Sequence, residues 1–220
     1  MKRGLLITFE GIEGCGKSTQ LKLVADRLQI LGLKYFCTRE PGGTEIGAQI
    51  RKILLSESNS DLEPLSEALL YLADRFQHVT EVLRPRLETG EVVLCDRYHD
   101  STVAYQGYAR GLPLDWLQQV WEKSGLALDP DLTLLLDVQP EIGLQRSFRK
   151  LKKENLDEWR FEKEELAFHR KVREGFLTLS ILHPKRIKVI DAQGSIEEVH
   201  QHVMRVLKAS LETALDHEIF

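Results

Sequence analysis

The chain has 220 residues, of which 42% are apolar and 29% are charged, and its net charge at pH 7 is −4. This length can bury a substantial core, and we expect one domain over residues 1–220. The slightly acidic balance argues against a surface for nucleic acid or anionic membranes, and no segment approaches the roughly 18 apolar residues that cross a bilayer. Three cysteines without metal-ligand spacing favour reduced thiols. These features predict a cytoplasmic protein without a membrane anchor.

The first predicted strand leads into a glycine-rich loop. An apolar run at Leu5–Phe9 precedes residues 11–18, which have two glycines separated by four residues, then Lys17 and Ser18. The backbone N–H groups of such a loop bind phosphate oxygens, Lys17 adds a cation, and Ser18 offers a hydroxyl to Mg²⁺. A helical pattern follows and ends at Gly32, so the loop lies at a helix N-terminus. The sequence predicts a binding site for a nucleoside triphosphate, formed by Gly11, Ile12, Glu13, Gly14, Cys15, Gly16, Lys17, Ser18 and Thr19.

Strand and helix signals alternate along the rest of the chain. Strands are predicted at 34–38, 91–96, 132–137 and 186–190, and helices begin near Thr44, Pro64, Pro113 and Ser195. The run 132–137 is apolar without alternation, as expected for a central strand covered on both faces. This order predicts an α/β fold with a central parallel sheet and helices on both faces.

An apolar stripe marks the helix that begins at Pro64. Its members, from Leu65 to Leu83, alternate spacings of four and three residues. Such a stripe is typical either of a core face or of a seam between helices.

Basic residues are dense between Gln145 and Arg173, with acidic residues interleaved. One interpretation is a solvated helical surface with ion pairs one turn apart. The other is a cationic lid that handles phosphate, since residues 150–155 lack an apolar stripe and predict an irregular loop. We place this lid segment at about residues 146–160.

The third predicted strand ends in Asp96 and Arg97, which favours phosphoryl transfer. An acid at the carboxyl end of a strand can hold Mg²⁺ through water, and the adjacent arginine can clamp a second phosphate. The chain has no Asn-Lys-x-Asp segment, which reads guanine in GTPases, and no strand that ends in the paired Asp-Glu with which many ATPases polarise water. The candidate metal residues are Ser18, from the glycine-rich loop, and Asp96, from this strand end.

Four segments in this order resemble the thymidylate kinase family. They are residues 9–20, 38–44, 71–75 and 96–106, and the likeness covers nearly the whole sequence. The resemblance implies a three-layer P-loop NTPase fold, a homodimer, and transfer of the γ-phosphoryl group of ATP to dTMP with Mg²⁺. An enzyme for another nucleoside monophosphate, or a nucleotide-dependent regulatory ATPase, is the alternative.

The resemblance also implies roles for individual residues in dTMP binding. The aromatic ring of Tyr71 would stack on thymine, and Arg75, one helical turn away, would bind the base. Arg39 and Arg97 would contact the monophosphate, while Tyr105 would exclude a 2′-hydroxyl. Without the resemblance, we would expect Tyr71 at the edge of the core, and Ser101 and Gln106 on the surface of a helix. The implied dTMP residues are Glu13, Arg39, Tyr71, Arg75, Arg97, Ser101, Tyr105 and Gln106.

The catalytic cations implied by the resemblance are Lys17, Arg97 and an arginine of the lid. Some relatives carry an arginine inside the phosphate loop, whereas this chain has Gly14 and Cys15 there. The family's Asp-Arg-x-Glu in the lid reads Trp-Arg-Phe-Glu at residues 159–162. Arg160 is the first candidate and Arg149 the second.

Overall fold

A computed structural model of the chain describes residues 3–125, 127–154 and 159–215. This part contains five strands, β1 (Leu6–Glu10), β2 (Tyr35–Arg39), β3 (Val92–Asp96), β4 (Leu132–Asp137) and β5 (Ile187–Asp191). They form one sheet in the order β2-β3-β1-β4-β5, and every neighbouring pair is parallel.

The helices connect these strands in chain order. They are α1 (Lys17–Ile30), α2 (Glu45–Leu55), α3 (Pro64–His78), α4 (Arg84–Glu88), α5 (His99–Thr102), α6 (Leu114–Lys123), α7 (Pro140–Glu154), α8 (Leu166–Leu182) and α9 (Ile196–Leu215). Wider π-helical turns join α3 to α4 at Val79–Leu83 and follow α5 at Val103–Ala109. None of the described helices is both long enough and apolar enough to cross a membrane.

Helices cover both faces of the sheet, as the sequence predicted. Alternate residues of β1 and β3 belong to two separate apolar clusters: Ile7 and Leu94 to one, Leu6 and Val93 to the other. This division follows from the period-2 alternation of side chains in a strand. In β4 the consecutive residues Leu134, Leu135 and Leu136 are all buried, so both faces of this strand are covered.

Local signals placed the strand bounds and the starts of α2, α3, α6 and α9 within one residue. β4 has the predicted bounds, while β2, β3 and β5 begin one residue later than predicted. Thr44 caps α2 by accepting a hydrogen bond from the Gly47 N–H, and Ser195 and Glu198 form the predicted capping box at the start of α9.

Two expectations about helices need correction. The irregular loop predicted from Lys150 was wrong for residues 150–154, which continue α7; residues 155–158 lie outside the described residues. The stripe from Leu65 to Leu83 is not one face of the core, because Leu72, Val79 and Leu83 are buried whereas Leu65 and Leu69 are each 50% exposed. The π-helical turn after His78 also rotates the later residues relative to α3.

The carboxyl ends of the strands meet at one edge of the sheet. β1 ends at Glu10, β2 at Arg39 and β3 at Asp96, in three adjacent positions. In open parallel sheets this edge is where ligands bind, at the point where the strand order reverses. The polar residues predicted from sequence therefore converge there.

Candidate active site

The loop between β1 and α1 is shaped by glycine. Gly11 and Gly14 have φ values of 135° and 65°, a region that other residues rarely adopt. A side chain at Gly11 would collide with the Leu136 carbonyl, and one at Gly14 with the Gly143 carbonyl. The loop therefore packs tightly against the end of β4 and against α7, and it leads directly into the N-terminus of α1, where anions bind.

Lys17, the first residue of α1, folds back over this loop. Its buried Nζ donates to the carbonyl oxygens of Gly11 at 3.0 Å and Ile12 at 2.8 Å, and contacts Cys15 Sγ at 3.4 Å. The ammonium group is thus held inside the curve of the loop.

Ser18 and Asp96 form the pair of oxygen ligands predicted for Mg²⁺. The Ser18 hydroxyl donates to Asp96 Oδ2 at 2.7 Å, although the two residues come from α1 and β3. Hydroxyl and carboxylate oxygens suit Mg²⁺, which keeps several waters and binds substrate phosphates. Among the residues described, no three His, Cys, Asp or Glu side chains cluster to hold a metal ion.

Arg97 has the left-handed backbone conformation, with φ 67°. This conformation costs a non-glycine residue about 1–2 kcal/mol, so neighbouring contacts must hold it. The Arg97 N–H donates to the Phe9 carbonyl, and the next N–H, of Tyr98, donates to Glu10 Oε1 at 2.8 Å. Glu10 also accepts a 2.6 Å hydrogen bond from Ser101. Burial and the nearby Asp100 charge raise the pKa of Glu10 to about 8.

The Arg97 guanidinium joins the phosphate loop to a second group of residues. Nη1 donates to the Gly11 carbonyl at 2.8 Å and to Ser101 Oγ at 3.2 Å, while Nη2 pairs with Glu13 at 3.1 Å. The guanidinium carbon also lies 5.0 Å from the centre of the Tyr105 ring. Lys17 and Arg97 therefore donate to the same carbonyl oxygen, that of Gly11.

Glu13 is surrounded by hydrogen-bond donors. Oε1 accepts from Arg97 and from the Tyr105 hydroxyl at 2.5 Å, and Oε2 accepts from His169 Nδ1 at 3.1 Å. Burial alone would raise the pKa of Glu13, but the His169 bond and the Arg97 and Lys17 charges hold it well below the usual range. His169 had not been identified from sequence, because a single histidine on a helical pattern carries no spacing signal.

Arg75, on α3, is fixed by a buried hydrogen-bond network that also involves residues of β2 and α5. Its Nε donates to Glu40 at 2.8 Å and its Nη1 to Thr102 at 2.9 Å. Glu40 also contacts His78 Nδ1 at 2.8 Å, and His78 Nε2 lies 2.7 Å from Thr38 Oγ1. Glu40 lies in residues 38–44, one of the segments that carry the family resemblance. No role was predicted for it, because its partner Arg75 is 35 residues further along the chain.

A cavity of about 680 Å³ joins these groups. The phosphate loop from Glu13 to Thr19 lines one part, and the other part includes Phe161, whose ring lies 5.6 Å from that of Tyr105 and 6.5 Å from that of Tyr71. Every residue with an implied dTMP role lines the cavity: Glu13, Arg39, Tyr71, Arg75, Arg97, Ser101, Tyr105 and Gln106.

The two lid arginines do not line this cavity. Arg160 is buried, pairs with Glu67 on α3 at 2.6 Å, and donates to the carbonyls of Leu54 and Asn59. Arg149 lies on the exposed side of α7. The α7 cations that do line the cavity are Arg146, which donates to the Ala192 and Gln193 carbonyls, and Lys150.

A family model for thymidylate kinase matches residues 9–203, which is most of the chain. The chain belongs to the thymidylate kinase family. It is 54% identical over 194 residues to the thymidylate kinase of Syntrophotalea carbinolica, with 88% of this chain and 90% of that protein covered. It is 50% identical to the enzyme of Nitratidesulfovibrio vulgaris over 209 residues, with 94% and 97% covered.

The fold agrees with this family assignment. The crystal structure of thymidylate kinase from Ehrlichia chaffeensis aligns with a TM-score of 0.72 at 33% identity, covering 93% of this chain and 98% of that one. The parallel sheet flanked by helices is thus the P-loop NTPase fold expected from sequence.

Proposed function

We propose that the protein transfers the γ-phosphoryl group of ATP to dTMP, giving dTDP and ADP on the route to dTTP. The observation that carries this function is the shared cavity, in which the phosphate loop and the arginine- and tyrosine-lined part meet at Arg97. A hydrolase needs room for water at the γ-phosphate, whereas this arrangement offers space for a second nucleotide. Relatives named thymidylate kinase, matched over most of the chain, support the same reaction.

The reaction needs little proton transfer from the protein. A phosphate monoester has a second pKa of about 6, so the attacking oxygen of dTMP is already ionised near pH 7. The barrier comes from bringing two anions together and from charge that spreads over the moving phosphoryl group. Catalysis therefore depends on positioning and on cations.

The phosphate loop binds the donor in this proposal. The N–H groups of Gly11 to Thr19 hold the β- and γ-phosphates, and Lys17 neutralises their charge. Ser18 and Asp96 would hold Mg²⁺ directly or through water, and the ion would neutralise part of the phosphate charge.

The other part of the cavity binds the acceptor. Tyr71 stacks on thymine. Arg75 binds the base through Nη2, because its Nε and Nη1 already donate to Glu40 and Thr102. Arg39 and Arg97 hold the monophosphate, with Ser101 and Gln106 nearby, while Glu13 and Tyr105 face the sugar. Arg97 thus draws the attacking phosphate towards the loop.

The lid supplies the remaining catalytic charge. Arg160 and Arg149 were the candidates from sequence, but the contacts of Arg160 with Glu67, Leu54 and Asn59 favour a role in anchoring the lid. We assign the transferred phosphate to the cations of α7, with Lys150 first because it lines the cavity. Arg146 also lines it but donates from both terminal nitrogens to the Ala192 and Gln193 carbonyls, so Arg149 stays the second candidate.

The functional unit is a cytoplasmic homodimer in this proposal. Its support is an exposed apolar surface on α2 and α3, two helices that pack against each other. Such a surface is typical of an interface between protein chains. Its exposed members are Ile46, Ile53, Leu65, Leu69 and Phe76.

A coupled assay over a panel of monophosphates tests the activity. With ATP and Mg²⁺, dTMP should give the highest kcat/KM, followed by dUMP, with UMP, CMP and GMP far lower. A higher value for another monophosphate would establish the alternative kinase. Steady ATP consumption without any monophosphate, stimulated by DNA, would establish the regulatory ATPase.

A further inference from the structure

His169 lies on α8, the helix that follows the lid, and is fully buried. Its Nδ1 lies 3.1 Å from Glu13 Oε2, and because a carboxylate only accepts, this ring nitrogen carries the proton. Its Nε2 has no hydrogen-bond partner among the described residues. Within the described structure, the one hydrogen bond of this buried ring is therefore the bond to Glu13.

Glu13 needs this partner to keep its orientation. Oε1 is shared between Arg97 and Tyr105, so His169 is the donor that fixes Oε2. Without it, a buried carboxylate oxygen would lose a charge-assisted hydrogen bond. Rotation of the side chain to recover a donor would also move Oε1 away from Arg97 and Tyr105.

The position of α8 makes His169 a link between three elements. α8 packs closely against the π-helical turn that carries Tyr105, and the Cβ of a side chain at Gly175 would meet the Tyr108 ring. His169 reaches from the same helix to Glu13 in the phosphate loop. The orientation of Glu13 therefore depends on how α8 is seated.

We propose that His169 is a positioning residue of the acceptor site, which holds Glu13 so that Arg97 and Tyr105 are aligned for the monophosphate and its sugar. This inference rests on the proposed function. It assigns His169 an effect on the acceptor that is separate from its contribution to the core. Loss of the bond should weaken selection of the acceptor and leave ATP binding nearly unchanged.

The test compares two substitutions that differ in one hydrogen bond. His169→Asn keeps an N–H donor near the position of Nδ1, whereas His169→Leu has a similar size and no donor. We expect His169→Leu to lower kcat/KM for dTMP about tenfold or more, the loss of one charge-assisted hydrogen bond. Its KM for ATP should change less than about twofold, and the ratio of dTMP to UMP rates should fall. His169→Asn should recover most of both losses.

His200→Leu is the matched control. His200 Nδ1 makes a hydrogen bond of the same 3.1 Å length to a side-chain oxygen, that of Gln20 on α1, but it touches neither Glu13 nor Tyr105. This variant should keep the dTMP-to-UMP ratio of the wild type. Melting temperatures of all variants separate lost stability from lost alignment.

Three results would overturn the inference. They are an unchanged ratio in His169→Leu, equal changes in KM for dTMP and ATP, and no recovery in His169→Asn. If His169→Leu does not fold, His169→Gln replaces it, because the glutamine amide lies near the position of Nε2 and not near that of Nδ1, the nitrogen that contacts Glu13. Equal activity of the Asn and Gln variants would then refute the role. Wild-type turnover of dTMP tests the proposed function separately, and if another monophosphate is preferred, the variants are compared with that acceptor.

Discussion

At the scale of single residues, buried partners hold Arg97 in a costly backbone conformation. Arg97 has a positive φ, yet its neighbours Phe9 and Glu10 bind the backbone on both sides of the turn. Strain of this kind persists only where the surroundings determine the conformation, and it is concentrated at functional sites. The guanidinium is thereby directed at the phosphate loop instead of into solvent.

Replacement of Lys17 by alanine should remove the main cation of the phosphate loop. We expect kcat to fall by about 10²–10³-fold, as for the loss of one group that stabilises developing charge. Rates measured with saturating ATP and dTMP check this, with the melting temperature as a control for folding. A folded variant with near-normal turnover would contradict the role of Lys17.

Glu10 should make stability depend on pH. Its pKa is about 8 in the folded protein against an ordinary value of 4.5, so between these values the folded state binds more protons than the unfolded one. The free energy of unfolding of the wild type, minus that of Glu10→Gln, should therefore fall as pH rises from 4.5 to about 8. Chemical denaturation of both proteins at several pH values measures this difference. A constant difference would show that Glu10 titrates normally.

At the scale of elements, the lid is divided between two tasks. α7 presents Lys150 to the cavity, while the segment that follows anchors itself through Arg160 to Glu67, which also accepts hydrogen bonds from Gln106 and Arg110. Loss of one partner from a buried ion pair costs about 3–5 kcal/mol. Arg160 thus has a structural reason to be present besides any catalytic one.

Alanine variants of the lid should separate these tasks. Lys150→Ala should lower kcat with little change in KM or melting temperature, and Arg149→Ala should have a smaller effect because Arg149 does not line the cavity. Arg160→Ala should mainly lower the melting temperature, since Glu67 would stay buried without its closest partner. If Arg160→Ala instead lost kcat at unchanged stability, Arg160 would be the catalytic cation.

The sequence predicted the elements better than the contacts between them. Strand and helix bounds follow from local periodicity and caps, so β4 and the capping box at Ser195 were recovered from sequence. The extension of α7 beyond Lys150 was missed because its one apolar residue, the buried Leu151, lies among charged residues and is too little to define an apolar stripe. Candidate residues came from motifs, whereas His169 lies 156 residues from Glu13 in the chain, and such partners emerge only on folding.

For the whole molecule, the apolar surface on α2 and α3 predicts self-association. Leu69→Glu places a charge on this surface at a side chain that is 50% exposed, so it should disrupt a dimer without unfolding the chain. Ile181→Glu, at a residue 77% exposed on α8, is the control for a new surface charge. Sedimentation should show a dimer for the wild type and the control, and a monomer for Leu69→Glu. A wild-type monomer would contradict the dimer.

The carbonyl oxygen of Gly11 has a consequence for how the two nucleotides bind. Lys17 and Arg97 both donate to it, and each is proposed to serve a different substrate. A donor nucleotide that draws Lys17 towards its phosphates changes the field at Arg97, and an acceptor does the same in reverse. Such linkage is reciprocal, so any factor by which ATP tightens dTMP binding must equal the factor by which dTMP tightens ATP binding. The substrates of this protein are therefore expected to show thermodynamic coupling through a single backbone atom.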